Sequence, residues 1–184
     1  MYRIKKNMHK KKNKGTPAAG FCARLGTFLL LLVIAACIPF TLPRLLGYRV
    51  YAVISGSMEP AISVGDLVYV RQTEPEDVEK NDVIAFCAAE ASGAIILHRV
   101  VENRTVDGSF ITKGDANAQP DLSPVSYDRL LGVTERAVPY LGQLGLILTG
   151  SWGKLAAVCL VLAAVMLHAV SAGLRSKGES FKIQ

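Results

Sequence analysis

The sequence predicts a mainly β fold: an antiparallel β domain anchored by an N-terminal and a C-terminal transmembrane helix. Three observations carry this expectation. Two long uncharged apolar runs, Leu25–Leu42 and Leu155–Leu174, flank the middle of the chain. Between them, short runs rich in Val, Ile, Leu and aromatic residues alternate with turn-forming residues. Charge is also segregated. Residues 1–24 carry eight Lys/Arg and no acid, residues 43–153 carry nine Lys/Arg against fourteen Asp/Glu, and residues 154–184 carry four Lys/Arg and one Glu. The net charge of +6 over 184 residues therefore belongs to the ends, while nine bases against fourteen acids leave the middle at −5. A nucleic-acid-binding domain normally puts positive charge on its folded part, so no nucleic-acid partner is expected. A hydrophobic content of 51% excludes a disordered chain, and four cysteines are too few for a disulfide scaffold.

The first apolar run has eighteen residues, ~27 Å of helix against a hydrocarbon core of ~30 Å. The second has twenty, with Trp152 and Lys154 just before it; both residue types suit a membrane interface. Lipid offers no partner to backbone N–H and C=O groups, so both runs are expected to be helical. A basic segment followed by an apolar core also fits a cleaved signal peptide, and Ile34-Ala35-Ala36-Cys37 loosely resembles a lipoprotein cleavage box. Because the apolar run continues past Cys37 to Leu42, an uncleaved anchor is the preferred reading. The positive-inside rule puts residues 1–24, with Arg3, Lys5, Lys6, Lys10, Lys11, Lys12, Lys14 and Arg24, in the cytoplasm, together with residues 175–184. Two spans, 25–42 and 155–174, return the chain to its starting side. Residues 43–153 are then extracytoplasmic, and the expected location is the cell membrane, multi-pass, with the lipid bilayer as a partner.

Within 43–153 the expected strands are Tyr48–Ile54, Leu67–Val70, Val83–Cys87, Ala94–Val101, Phe110–Thr112 and Leu131–Ala137. Glu59-Pro60, Val64-Gly65-Asp66, Lys80-Asn81-Asp82, Ser92-Gly93, Asp107-Gly108 and Ala118-Gln119-Pro120-Asp121 supply turns. Cys87 is the only cysteine in this region, which excludes an internal disulfide there, and it reads as a buried strand thiol.

The chemistry starts from absences: no CxxC, HExxH, P-loop or GxGxxG occurs. Of the three histidines, only His98 lies in the middle region, so one His and one Cys are too few for a zinc site. Neither a metal nor a cofactor is expected. His98 sits in an alternating strand pattern, Ile96, His98 and Val100 on one face and Leu97, Arg99 and Val101 on the other. An imidazole, with an unperturbed pKa of ~6.5, accepts a proton at neutral pH; the competing reading is a structural strand histidine. In Val53-Ile54-Ser55-Gly56-Ser57-Met58-Glu59-Pro60, a strand runs into a turn that presents Ser57, a nucleophile if a base lies within reach and otherwise a plain Ser-Gly turn. The Ser57 N–H and the Ser55 hydroxyl are donors available to an oxyanion. In Thr112-Lys113-Gly114-Asp115-Ala116-Asn117-Ala118-Gln119-Pro120-Asp121, either carboxylate could orient His98, or both could simply cap turns.

Taken together, these stretches resemble signal peptidase I of the endoplasmic-reticulum type, which includes archaeal enzymes and the sporulation-associated W-type enzymes of Gram-positive bacteria. Ser55-Gly56-Ser57-Met58-Glu59-Pro60 followed by Gly65-Asp66-Leu67 is similar to the nucleophile box. Leu97-His98-Arg99-Val100 is similar to the second box, where bacterial-type relatives carry Lys, and Thr112 to Asn117 to the third. Val138-Pro139-Tyr140-Leu141-Gly142 also looks familial, and the likeness runs roughly over residues 25–170. Ala116 departs from the family's Gly-Asp-Asn-Asn loop, which puts only local hydrogen bonding in doubt. The resemblance implies a β catalytic domain of the signal peptidase type: a membrane-bound serine endopeptidase that cleaves signal peptides from secretory preproteins. Ser57 matches the nucleophile, His98 the general base, Asp121 the usual third member and Asp115 a nearby acidic position. Ser55, beside the Ser57 N–H, matches an oxyanion-hole hydroxyl. Which carboxylate orients His98, and whether accessory subunits are needed, stay open.

A lysine base is the main chemical rival. Lys80 is flanked by Glu79 and Asp82, a poor setting for a base, which leaves Lys113. The functional alternatives are a non-catalytic membrane-tethered binding or assembly module of the same fold, and a peptidase acting only on its own chain.

Overall fold

The computed structural model describes residues 17–88 and 93–180. The basic segment Arg3 to Lys14, Lys182, and Ser92 of the Ser92-Gly93 turn lie outside the described residues. The described residues fall into two compact units, one running up to Ile34 and again from Ala157, the other spanning Ala35–Ala156.

The first unit consists of stretches of two helices, α1 (Pro17–Leu45) and α3 (Ser151–Ser180). Each outgrows its uncharged run, because loss of charge-free sequence marks the edge of the hydrocarbon core rather than the end of the helix; Arg24 and Lys154 are good helix formers. Small residues bring the two backbones together. Ser171 Oγ donates to Ala19 O at 2.8 Å, and a Cβ on Gly26 would stand 3.0 Å from Ala164 O. The remaining faces expose Phe28, Leu31, Val165 and Met166. Helices apolar all round need an apolar surrounding, and both are long and apolar enough to cross a membrane.

In the second unit the strands are β1 (Tyr48–Ala52), β2 (Leu67–Arg71), β3 (Val83–Cys87), β4 (Ile95–Arg104), β5 (Ser109–Lys113), β6 (Val125–Ser126) and β7 (Leu130–Val138). They form one sheet in the order β1-β2-β7-β3-β4-β5-β6, every pairing antiparallel. The expected mainly β, antiparallel class with terminal apolar helices is what the structure has. A short helix, α2 (Leu141–Thr149), follows β7. β6 and α2 carry no expected counterpart, since two residues show no period and nine uncharged residues after Pro139 resemble a linker. β4 runs three residues beyond its expected end at Val101, because a bulge between Val100 and Glu102 lets Glu102–Arg104 keep pairing with β5.

Two clusters hold the sheet. One joins Val53, Met58, Ile62, Val68, Val70 and Ala85; the other joins Val78, Ile84, Phe86, Val100, Phe110 and Val125. Fully burying such a side chain contributes about 1.5–3 kcal/mol. Met58 matters most here, since its burial staples the segment carrying Ser57 to the core of β2 and β3.

Candidate active site

Three stretches far apart in sequence meet over β4 and β5. His98 stands mid-strand on β4, buried, opposite Ile84 of β3 and with the Phe86 ring edge-on at 6.1 Å. Its face is the one that alternation assigns it, with Val100 and not with Arg99. His98 Nδ1 lies 2.5 Å from Asp121 Oδ2. The same carboxylate oxygen accepts the Thr112 hydroxyl at 2.6 Å, while the Asp121 N–H donates to Thr112 O at 2.8 Å. Thr112 is wholly buried on β5, opposite Val100. Asp121 is thus held from backbone and side chain by one residue, with its carboxylate against the imidazole.

Asp115 goes elsewhere. Arg99 grips it with two parallel bonds, Nε to Oδ1 at 2.8 Å and Nη2 to Oδ2 at 2.5 Å, and donates a third from Nη1 to Asn81 O at 2.8 Å. The hydrogen bonds from Arg99, the first cause, and its charge hold the Asp115 carboxyl below its ordinary value near 3.8, against desolvation; Lys113 and His98 add smaller pulls in the same direction. A carboxyl depressed by folding adds stability that is complete above its unfolded value and is lost as pH falls below it. The melting temperature of the detergent-solubilised protein is accordingly expected to fall as pH drops below about 4, and that acid-side slope is expected to be shallower in Asp115→Asn.

The Ser57 segment closes over the other side of the imidazole. The Ala116 N–H donates to Ser57 O at 2.9 Å, and the Asn117 N–H closes a turn onto Gly114 O at 3.0 Å. Gly114 makes this approach feasible. A Cβ there would stand 2.6 Å from Ser57 O, 2.8 Å from Asn117 Nδ2 and 3.0 Å from His98 Nε2. Any side chain would push apart the backbone of Ser57 and the imidazole edge that Asp121 leaves free. Ser55 is exposed, one residue beyond Gly56. Lys113, in register with Arg99, lines a cleft of about 220 Å³ with Lys80, Asn81, Arg99 and Asp115.

The expected site residues Ser57, His98, Asp115 and Asp121 therefore converge, but in two pairs, His98 with Asp121 and Arg99 with Asp115. Sequence reasoning missed Thr112 and Arg99 as their supports. The signal for Thr112 was its place at the inward position of a β run, where a buried hydroxyl requires a partner. The Gly65-Asp66-Leu67 stretch and the segment from Val138 to Gly142 also meet. Asp66 accepts from Ser63 N at 2.9 Å and Tyr140 N at 3.3 Å, tying Gly65-Asp66-Leu67 to the segment at Tyr140.

Residues 24–103 match the family described as "Signal peptidase, peptidase S26". That stretch contains Ser57, His98 and Arg99 and ends before Thr112, Asp115 and Asp121. The chain is 40% identical over 88 residues to Signal peptidase I W of Bacillus subtilis, covering 46% of this chain and 45% of that protein. It is 28% identical over 109 residues to the Signal peptidase complex catalytic subunit SEC11C of Homo sapiens, covering 54% and 56%. To the Signal peptidase complex catalytic subunit SEC11 of Eremothecium gossypii it is 33% identical over 111 residues, covering 54% and 65%. The chain spans about half the length of the first curated relatives it matches.

Proposed function

We propose that this chain, which matches the peptidase S26 family over residues 24–103, is a membrane-bound serine endopeptidase that removes signal peptides from secretory preproteins by a Ser57–His98–Asp121 mechanism. The observation that carries the reading is the orientation of His98. Its Nδ1 is bonded to Asp121, so Nε2 is the nitrogen left for a proton, and Nε2 faces the turn onto which Ser57 is bonded. Ser57 Oγ attacks the scissile carbonyl and its proton passes to His98 Nε2. Donors beside the nucleophile, the Ser57 N–H and the Ser55 hydroxyl, serve the oxyanion. His98 returns the proton to the leaving amine, and water then releases the acyl group and restores Ser57. Asp115 acts at one remove, by fixing Arg99 and the loop that carries Ala116.

The substrate class follows from the same domain. A preprotein has an apolar helix in the bilayer and its scissile bond just outside, and Ser57 follows Leu42 by only fifteen residues. Small residues at the cleavage point suit shallow apolar pockets, and extended backbone can pair with a strand edge. The excess of Lys and Arg at both ends supports an extracytoplasmic place for residues 43–153, on a chain that crosses a cell membrane twice.

Cleavage of a test preprotein by the full-length chain in detergent or vesicles, with the product's new N-terminus identified, tests the proposal. A cut after the apolar segment is expected. Intact preprotein across several substrates would turn the reading toward a non-catalytic module. In the active chain, Thr112→Val is expected to lower kcat about tenfold or more, the scale of one hydrogen bond to a charged group, while Thr112→Ser keeps most of the rate.

A further inference from the structure

The helix α2 is built inside out for a helix facing water. Its inner side is glycine. A Cβ on Gly142 would stand 2.2 Å from Asp66 O, and one on Gly145 would stand 2.6 Å from the Phe40 ring. Only bare backbone fits, so the helix lies flush against the Gly65-Asp66 turn and the end of α1, with its first turn bonded there through Gln143 N to Gly65 O at 2.9 Å. Its outer side carries the large apolar residues: Leu144, Leu146 and Ile147 are 42%, 51% and 61% exposed. Tyr140 just before it is 78% exposed and Trp152 just after it is 84% exposed. A helix at a water surface shows the opposite arrangement, bulk inward and polar groups outward.

We infer that the outer face of α2 is seated in the membrane interface, with lipid as its occupant. Three observations choose lipid over a protein partner. α2 has no charged residue, so nothing on it specifies an ionic partner; of its two polar side chains, the Thr149 hydroxyl is bonded back to Gly145 O at 2.8 Å, which leaves the Gln143 amide as its one outward polar group. It is joined through Gly150 alone to α3, one of the two helices among the described residues long and apolar enough to cross a membrane. Its ends are marked by Tyr140 and Trp152, with Lys154 following, the residue types that settle between apolar chains and water. Nine residues rise ~13 Å, too short to span, so the helix lies along the interface, sunk ~5–10 Å at the boundary of headgroups and acyl chains. With no basic residue on α2, the seating depends on apolar area and not on anionic lipid. Because α2 is bonded to the turn that closes the Ser57 segment, its seating also sets the depth at which that segment meets the bilayer.

The test uses the full-length chain in vesicles and does not depend on peptidase activity. Trp152 is the only tryptophan, so a Trp152→Phe background carrying Ile147→Trp, or Leu144→Trp as a second position, reports from α2 alone. Val106→Trp in the same background, in the exposed β4–β5 turn, serves as the water-facing reference. Acyl-brominated phosphatidylcholine is expected to quench the α2 reporters about as strongly as it quenches native Trp152, with little quenching by aqueous iodide. Added phosphatidylglycerol is expected to leave the result unchanged. Iodide quenching like that of the Val106→Trp reference would overturn the inference in favour of a solvated face. Protection from both quenchers would overturn it in favour of a protein contact, a second copy included.

Discussion

Ser57→Ala is expected to leave the fold standing and to remove the proposed cleavage, with a loss on the order of 10⁶-fold in kcat, the scale seen when a triad nucleophile or base is deleted. The fold survives because nothing in the local architecture uses the hydroxyl. Ser57 is held by its carbonyl, which accepts from the Ala116 N–H, and by its neighbour Met58, buried in one cluster with Val68 and Val70 of β2 and Ala85 of β3. Alanine keeps both attachments, and binding of the preprotein should change little. The rate falls because the alternative attacking group is water, with neither the effective concentration nor the orientation of a bound hydroxyl. Lys113→Ala is the paired control. Lys113 lies in register with Arg99, beside Asp115, while His98 and Thr112 occupy the inward positions of the same two strands. Its removal should leave the rate within a few-fold. Initial rates of preprotein cleavage, set beside the melting temperature of each variant, decide the matter. A Ser57→Ala chain as fast as wild type would mean that the nucleophile lies elsewhere, and a silent Lys113→Ala would make lysine the base.

Asp121→Asn is expected to lower kcat on the order of 10⁴-fold, the scale of that substitution in a serine triad, with KM and melting temperature little changed. Asn has nearly the same shape, and its carbonyl can still accept from Thr112. Its amide can no longer stabilise an imidazolium. If the amide N–H₂ turns toward His98 Nδ1, that nitrogen becomes an acceptor and the proton moves to Nε2, the nitrogen the reaction needs empty. Asp115→Asn should behave differently. It removes one of the three oxygens that accept from Arg99 and disturbs the turn that carries Ala116, but it leaves the Asp121 bond to His98 in place. Its rate is expected to fall about tenfold or less, consistent with the loss of one charge-assisted contact outside the reacting atoms. Rates for the two variants, measured on one preprotein at one pH, separate the roles. Equal losses would place Asp115 in the proton relay as well.

The parts of the molecule legible in sequence are those governed by local pattern. Absence of charge over eighteen and twenty residues marks the two apolar helices, and alternation over β4 assigns His98 to the inner face and Arg99 to the outer. Ser57 stood out because a strand-like run led into a turn that presents it, with Gly56 alongside. Thr112 was legible only as an inward strand hydroxyl in need of a partner; that the partner is Asp121 is set by the fold. Assigning the two carboxylates required the fold. His98 and Asp121 are 23 residues apart and Arg99 and Asp115 are 16 apart, and both sit at the end of one loop with equal local claims to the imidazole. The β4–β5 register, with its bulge after Val100, aligns Thr112 with Val100 and Lys113 with Arg99, and so sends one carboxylate inward to His98 and the other outward to Arg99. The same holds for α2, whose glycines read as linker until Asp66 and Phe40 are seen against them. Hydrophobicity and strand period are sums over neighbours in the chain, so the sequence by itself determined the two long helices, six of the seven strands and the face that His98 takes. Pairing between distant groups depends on register and close approach of backbones, which only the folded chain decides.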